Sequence, residues 1–179
     1  MRKTLELIAS DLKAKAEWTY GNASRGSVLK TLATDGTQQM IVYRLMQGAR
    51  RAKLAPLEIL FNKINVASGC VIGRGTEFGP GFVLVHSNGI VINGSVRGGS
   101  NVRLEHQVTM GTREKDDSPT LGDDIYIGAG AKIIGSINVG SGARVGANAV
   151  VLKDVPPATT VVGVPAKPVP RRSVSKLTS

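Results

Sequence analysis

Cysteine occurs once in the 179 residues, at Cys70. One thiol excludes an internal disulfide and a cysteine-rich zinc site. Histidine occurs twice, at His86 and His106, too few for a three-histidine zinc centre of the carbonic anhydrase kind. Aromatics make up 4% of the chain, so any core has to be assembled from small and branched aliphatics. Long apolar runs are missing. The longest, near Leu54 to Phe61, contains Pro56 and Glu58 and falls short of a membrane span. Met1 to Leu12 is a polar-faced amphipathic stretch rather than a secretory signal, so a cytoplasmic location is expected. Acidic residues are also scarce. Thirteen stand against 23 Lys and Arg, and the net charge is +10. That balance suits an anionic partner: a nucleic acid, a membrane surface or a phosphorylated small molecule. The few aromatics and the lack of a nucleic-acid motif argue against the first.

What is abundant is glycine, with 22 residues, and a six-residue rhythm of aliphatics. The rhythm runs Val66, Ile72, Phe78, Leu84, Ile90, Val96, Val102, Val108, and resumes at Leu121, Ile127, Ile133, Val139, Val145 and Val151. A unit of about six residues holds one short strand and a bend, and such units bury their apolar side chains only by stacking. Three units make a triangular coil of 18 residues, and coils pair as parallel strands. Residues 1–64 read differently. Leu5, Ile8, Ala9, Leu12 and Ala16 follow helical spacing, Gly21 and Asn22 interrupt it, and Asp35-Gly36 marks a turn. A helix is predicted from about Gln38 to Lys53, and Pro56 permits a short last one through Asn62.

From Val108 the next aliphatic is due at 114 and arrives at Leu121, so seven residues are inserted in the segment 111–120. With that correction, stepping by 18 places Ser68, His86, Leu104, Ala129 and Ala147 in one column. Two alanines beside His86 either satisfy a tight corner or leave a groove for an elongated ligand whose partners are backbone groups. His106 falls in an inward slot one coil above Asn88, which predicts a structural, hydrogen-bonded histidine; the alternative is that it orients an acceptor or His86. Cys70 occupies the same slot type and is expected to be a buried, inert thiol.

Several motifs in order carry a family resemblance. They are His86-Ser87-Asn88-Gly89-Ile90-Val91-Ile92, Gln107-Val108-Thr109-Met110-Gly111, Ile127-Gly128-Ala129-Gly130-Ala131-Lys132-Ile133, Val150-Val151-Leu152-Lys153-Asp154-Val155-Pro156-Pro157 and Gly163-Val164-Pro165-Ala166-Lys167. From about Thr34 to Val169 the chain resembles the hexapeptide-repeat acyltransferases, within them the serine acetyltransferase-like group. The resemblance implies a mainly β fold: a left-handed parallel β-helix over 65–156, an α-helical segment over 1–64 and an extended C-terminal tail over 157–179. It further implies a homotrimer, with a dimer of trimers as the larger alternative. Acetyl-CoA, as acyl donor, would lie in a groove between neighbouring subunits and pass Ala129 and Ala147. Gly111 and Thr112 would adjoin it, and Lys153 and Lys167 would meet its phosphates. No metal is expected. His86 takes the role of general base, since a neutral imidazole accepts a hydroxyl proton near neutral pH. A backbone N–H near the inserted loop, such as that of Gly111, is a candidate oxyanion donor.

The chain also departs from serine acetyltransferases. Their Asp before the catalytic histidine is Val85 here, the Arg-His pair ending their inserted loop is Asp117-Ser118, and an Asp about 15 residues before the histidine is Val71. His106, Asn88, Val85, Asp117 and Ser118 thus become candidates for acceptor binding or catalytic support. The departures lead to an expectation of a sugar hydroxyl on a glycan or its lipid-linked precursor as acceptor, as in polysaccharide-biosynthesis acetyltransferases. The basic helical arm is then either a contact for an anionic membrane surface at its inner face or a plain solvated face. The alternatives are serine O-acetyl transfer with altered anchors and a non-enzymatic β-helix scaffold.

Overall fold

The computed structural model describes residues 2–114 and 117–170. Residues 171–179 of the expected tail, and Lys115 and Asp116 of the inserted loop, lie outside the described residues. Four helices come first: α1 (Arg2–Tyr20), α2 (Arg25–Thr31), α3 (Thr37–Arg51) and α4 (Ala55–Ala67). Helix α4 begins with Pro56 in its first turn and continues to Ala67, so Val66, the first member of the six-residue series, is helical and exposed.

Fifteen short strands follow among the described residues. The first three are β1 (Cys70–Ile72), β2 (Glu77–Phe78) and β3 (Val83–Leu84). The second coil holds β4 (Ile90–Ile92), β5 (Arg97–Gly98) and β6 (Arg103–Leu104). The third holds β7 (Thr109–Gly111), β8 (Thr120–Leu121) and β9 (Tyr126–Ile127), and the fourth β10 (Lys132–Ile134), β11 (Asn138–Val139) and β12 (Arg144–Val145). Then come β13 (Val150–Val151), β14 (Thr160–Val162) and β15 (Lys167–Val169). They form three faces of a parallel β-solenoid: β1-β4-β7-β10-β13, β2-β5-β8-β11, and β3-β6-β9-β12-β14. The tail is not wholly extended, because β15 turns back to pair antiparallel with β14. Inside, Ile72, Ile92, Met110, Ile133 and Val151 stack along one face and Leu84, Leu104, Ile127, Val145 and Val161 along another, all nearly inaccessible. Each such aliphatic contributes roughly 1.5–3 kcal/mol.

Strand register corrects the expected break. Leu84 pairs with Leu104 and Ile72 with Ile92, an offset of 20 residues. Ile92 pairs with Met110, an offset of 18, and Met110 with Ile133, an offset of 23. The seven extra residues are therefore two insertions: two residues between Leu84 and Ile90, and five between Gly111 and Thr120. The reason lies at Gly98. It occupies the inward slot of β5 opposite Phe78, where a Cβ would sit 2.2 Å from the Phe78 ring. A glycine leaves no aliphatic to mark the series. The eye then passes to a second inward series two residues earlier, which holds Ile90, Val96, Val102 and Val108, each fully buried.

The helical segment is not a projecting arm. Asp11 of α1 and Arg44 of α3 form a buried bidentate pair, 2.6 and 3.0 Å. Arg44 also donates to the carbonyls of Phe78 (2.8 Å) and Gly79 (2.6 Å), and Asp11 accepts from the Phe82 N–H at 2.9 Å. These bonds fasten α1 and α3 to the first coil. The buried face of α1 is consequently Thr4, Asp11, Lys15 and Ala16, while Leu5 is exposed. Trp18, with Arg103 over its ring, packs near Tyr126 on the third face.

Candidate active site at a solenoid corner

His86 lies where the chain passes from β3 on the third face to β4 on the first, inside the two-residue insertion. The corner repeats in each coil and needs a left-handed backbone residue, supplied by Gly89, Gln107, Gly130 and Asn148, with φ of 70°, 57°, 71° and 55°. Gln107, Gly130 and Asn148 donate their N–H groups to the carbonyls of Asn88, His106 and Ala129 at 2.8–2.9 Å. This ladder fixes the corner backbone. The N–H groups of Ala129 and Ala147 form no hydrogen bond among the described residues.

With the register corrected, the residue one coil above His86 is His106, not Leu104, and Ser68 is the C-cap of α4 rather than a corner residue. The column reads His86, His106, Ala129, Ala147. His106 is therefore not the inward, hydrogen-bonded residue expected. It is exposed, its ring makes no hydrogen bond among the described residues, and it meets His86 edge-on with centroids 5.9 Å apart. Asn88 is exposed beside it, and Val85 is half-buried, its N–H donating to Leu104 O at 2.9 Å.

A residue that sequence reading took only for a turn completes the corner. Asp35, in the α2–α3 connection, accepts a hydrogen bond from His86 Nδ1 at 3.0 Å through Oδ2, and from Ser87 Oγ at 3.3 Å through Oδ1. Burial pushes the Asp35 carboxyl upward. The bonds from His86 and the Gly36 N–H, with the His86 charge, outweigh that and hold it below the usual range. Its backbone is fixed from beneath: the buried Lys15 ammonium donates to the carbonyls of Asp35 and, at 2.8 Å, Leu84. Burial lowers the Lys15 pKa to about 8 although the Asp35 charge acts against this. Gly36 has φ +77°, and a Cβ there would sit 2.5 Å from Leu84 O, so only glycine lets the turn lie this close. No spacing rule links residues 51 positions apart. The Asp-Gly pair was the only signal in the sequence.

Gly111, Thr112, Asp117, Ser118 and Lys153 lie at another corner of the same prism, between the first and second faces, while Lys167 opens β15 at the end of the third face. Gly111 closes β7 and Thr112 opens the five-residue insertion. Asp117 accepts from the Arg113 N–H at 2.7 Å, and Ser118 Oγ is buried without a partner among the described residues. Lys153 follows β13 and lines an open cleft of about 550 Å³ with Arg113, Asp117, Leu152 and Asp154. Lys153 and Lys167 share a second cleft of about 550 Å³ with Val155, Pro165 and Ala166. One chain therefore brings His86, Asp35, Ser87 and His106 together. It does not bring Gly111, Thr112, Asp117, Ser118, Lys153 or Lys167 to them. Cys70 is fully buried, and desolvation, with the Asp35 charge, pushes its thiol up to about 12.

A parallel solenoid of six-residue units with a histidine on an alanine-lined corner defines a hexapeptide-repeat acyltransferase. A scan of models of known protein families returns no match. The chain is 49% identical over 180 residues to a serine acetyltransferase of Buchnera aphidicola (subsp. Acyrthosiphon pisum), covering 98% of this chain and 65% of that one. A Neisseria gonorrhoeae serine acetyltransferase solved in complex with serine superposes with a TM-score of 0.84 at 34% identity, over 94% of this chain and 70% of that one. A serine acetyltransferase solved in complex with CoA gives 0.82 at 30% identity, again over 94% and 70%. This chain belongs to the serine acetyltransferase family. It spans about two thirds of the length of the Buchnera relative. The expectation of a glycan acceptor is overturned, because the relatives and structural neighbours that match over most of the chain are serine acetyltransferases.

Proposed function

We propose that the protein transfers the acetyl group of acetyl-CoA to the hydroxyl of L-serine, with His86 as general base. The observation that supports this most is the match, over nearly the whole chain, to serine acetyltransferases solved with serine and with CoA. In the proposed reaction the serine hydroxyl gives its proton to Nε2 of His86, the ring nitrogen not bonded to Asp35. The hydroxyl oxygen attacks the thioester carbonyl, the C–S bond breaks, and the imidazolium returns the proton to the departing thiolate. The products are O-acetylserine and coenzyme A. Transfer is direct, because the single thiol is buried and protonated.

The unbonded N–H groups of Ala129 and Ala147 line the path of the coenzyme's pantetheine arm, and Lys153 and Lys167 meet its phosphates. Lys153 stands at a different corner of the prism from Ala129 and Ala147, so the groove closes only when a second copy sets its Lys153 corner against the first copy's His86 corner. A trimer does this symmetrically. Thiol release from acetyl-CoA on addition of L-serine tests the reading. Turnover that saturates with L-serine is expected, and no turnover with saturating acetyl-CoA and L-serine contradicts it.

A further inference from the structure

We infer that Asp35 is the positioning residue for His86, a carboxylate that the helical segment delivers to a histidine on the solenoid. The inference deepens the proposed serine acetyl transfer and rests on that reading of His86.

Among the described residues, His86 has no carboxylate partner on the solenoid itself. Val85 precedes it, and Val71 lies in β1 paired with Val91. Asp35 is the group that faces Nδ1, at 3.0 Å. The pair is a poor device for stability: the two side chains are 54% and 55% exposed, and solvent screens exposed pairs so that they contribute little. The support beneath it is nonetheless elaborate. Buried Lys15 ties the Asp35 carbonyl to Leu84, two residues before His86, and Gly36 adopts a left-handed backbone to let the turn approach. Ser87 Oγ holds the second carboxylate oxygen at 3.3 Å. A rigid mount for a bond of small stabilising value is what orientation of a base requires. The bond keeps the proton of the neutral imidazole on Nδ1 and leaves the Nε2 lone pair for the hydroxyl. The charged and titratable groups around the pair are Lys15 from α1, the buried Cys70 thiol of β1 and His106 from the next coil.

Two readouts test this on the full-length protein. In Asp35→Asn, which keeps the side-chain shape, kcat falls about 10- to 100-fold, part of what a general base contributes, while KM for acetyl-CoA holds. Asp35→Glu recovers part of that loss. Combined with His86→Ala, the Asp35→Asn change costs nothing further. Long-range 1H–15N spectra, assigned with the His86→Ala variant, show neutral His86 as the Nδ1–H tautomer in the wild type and a changed tautomer balance in Asp35→Asn. A kcat within twofold of wild type in Asp35→Asn, or an Nε2–H tautomer in the wild type, overturns the inference. The spectra need no substrate. A wild type without serine turnover but with the Nδ1–H tautomer refutes the proposed function and leaves the pairing standing.

Discussion

Val85, Cys70 and His86 bear most directly on the chemistry. Val85 is half-buried and adjacent to His86, at the position where the resemblance implies an Asp. Val85→Asp would restore a carboxylate near the acceptor's ammonium and is expected to lower KM for L-serine several-fold with kcat little changed. Steady-state kinetics check it, and an unchanged KM shows that the position no longer touches the acceptor. Cys70 offers a second test. With its pKa pushed up to about 12 by burial, it should stay unlabelled by a thiol reagent in the native protein at pH 8 and react only on unfolding. His86 was legible as a candidate from its motif. Its partner was not, because a hydrogen bond across 51 residues leaves no periodic trace. His106 was misplaced because Gly98 erased one marker of the repeat and shifted the count by two residues.

At the scale of elements, α3 joins the solenoid through buried polar groups as well as an apolar seam, in which Met40, Tyr43 and Met46 share one core with Phe78 and Phe82. In α1 the apolar spacing is only partly matched by burial: Ala16 is buried and Ile8 and Leu12 are half-buried, but Leu5 and Ala9 are exposed, and Asp11 and Lys15 take the inward positions. Removing one partner of the Asp11–Arg44 pair strands a buried charge, so Arg44→Ala is expected to cost about 3–5 kcal/mol in a denaturant titration. A loss below 1 kcal/mol would show that the clamp is dispensable. Lys15 adds a pH signature. Folded Lys15 releases its proton near pH 8, whereas the unfolded chain keeps it to about 10.5. Between these values the unfolded state holds more protons, so raising the pH stabilises the fold; below pH 8 the group adds no further slope. Stability of the wild type relative to Lys15→Met should therefore rise from pH 8 to 10.5. A flat difference contradicts the buried placement of the ammonium.

At the scale of the whole molecule, the six-residue period was legible because stacking buries the same slot in every coil. The acceptor was not, because the candidate residues for it, His106, Asn88, Val85, Asp117 and Ser118, are scattered over a corner and a loop that the period does not mark. The separation of the His86 corner from the Lys153 corner makes assembly part of the proposed site. A mixed assembly of His86→Ala chains with Lys153→Ala chains should recover, at low acetyl-CoA, activity that neither variant shows alone. Recovery no greater than the sum of the parents would place each site within one chain. The most direct test of the account is kcat for L-serine acetylation in His86→Ala, measured alongside its affinity for CoA. The account predicts a fall in kcat of about 10²–10⁴-fold with CoA affinity retained. A kcat within twofold of the wild type would remove His86 as the base and contradict the account.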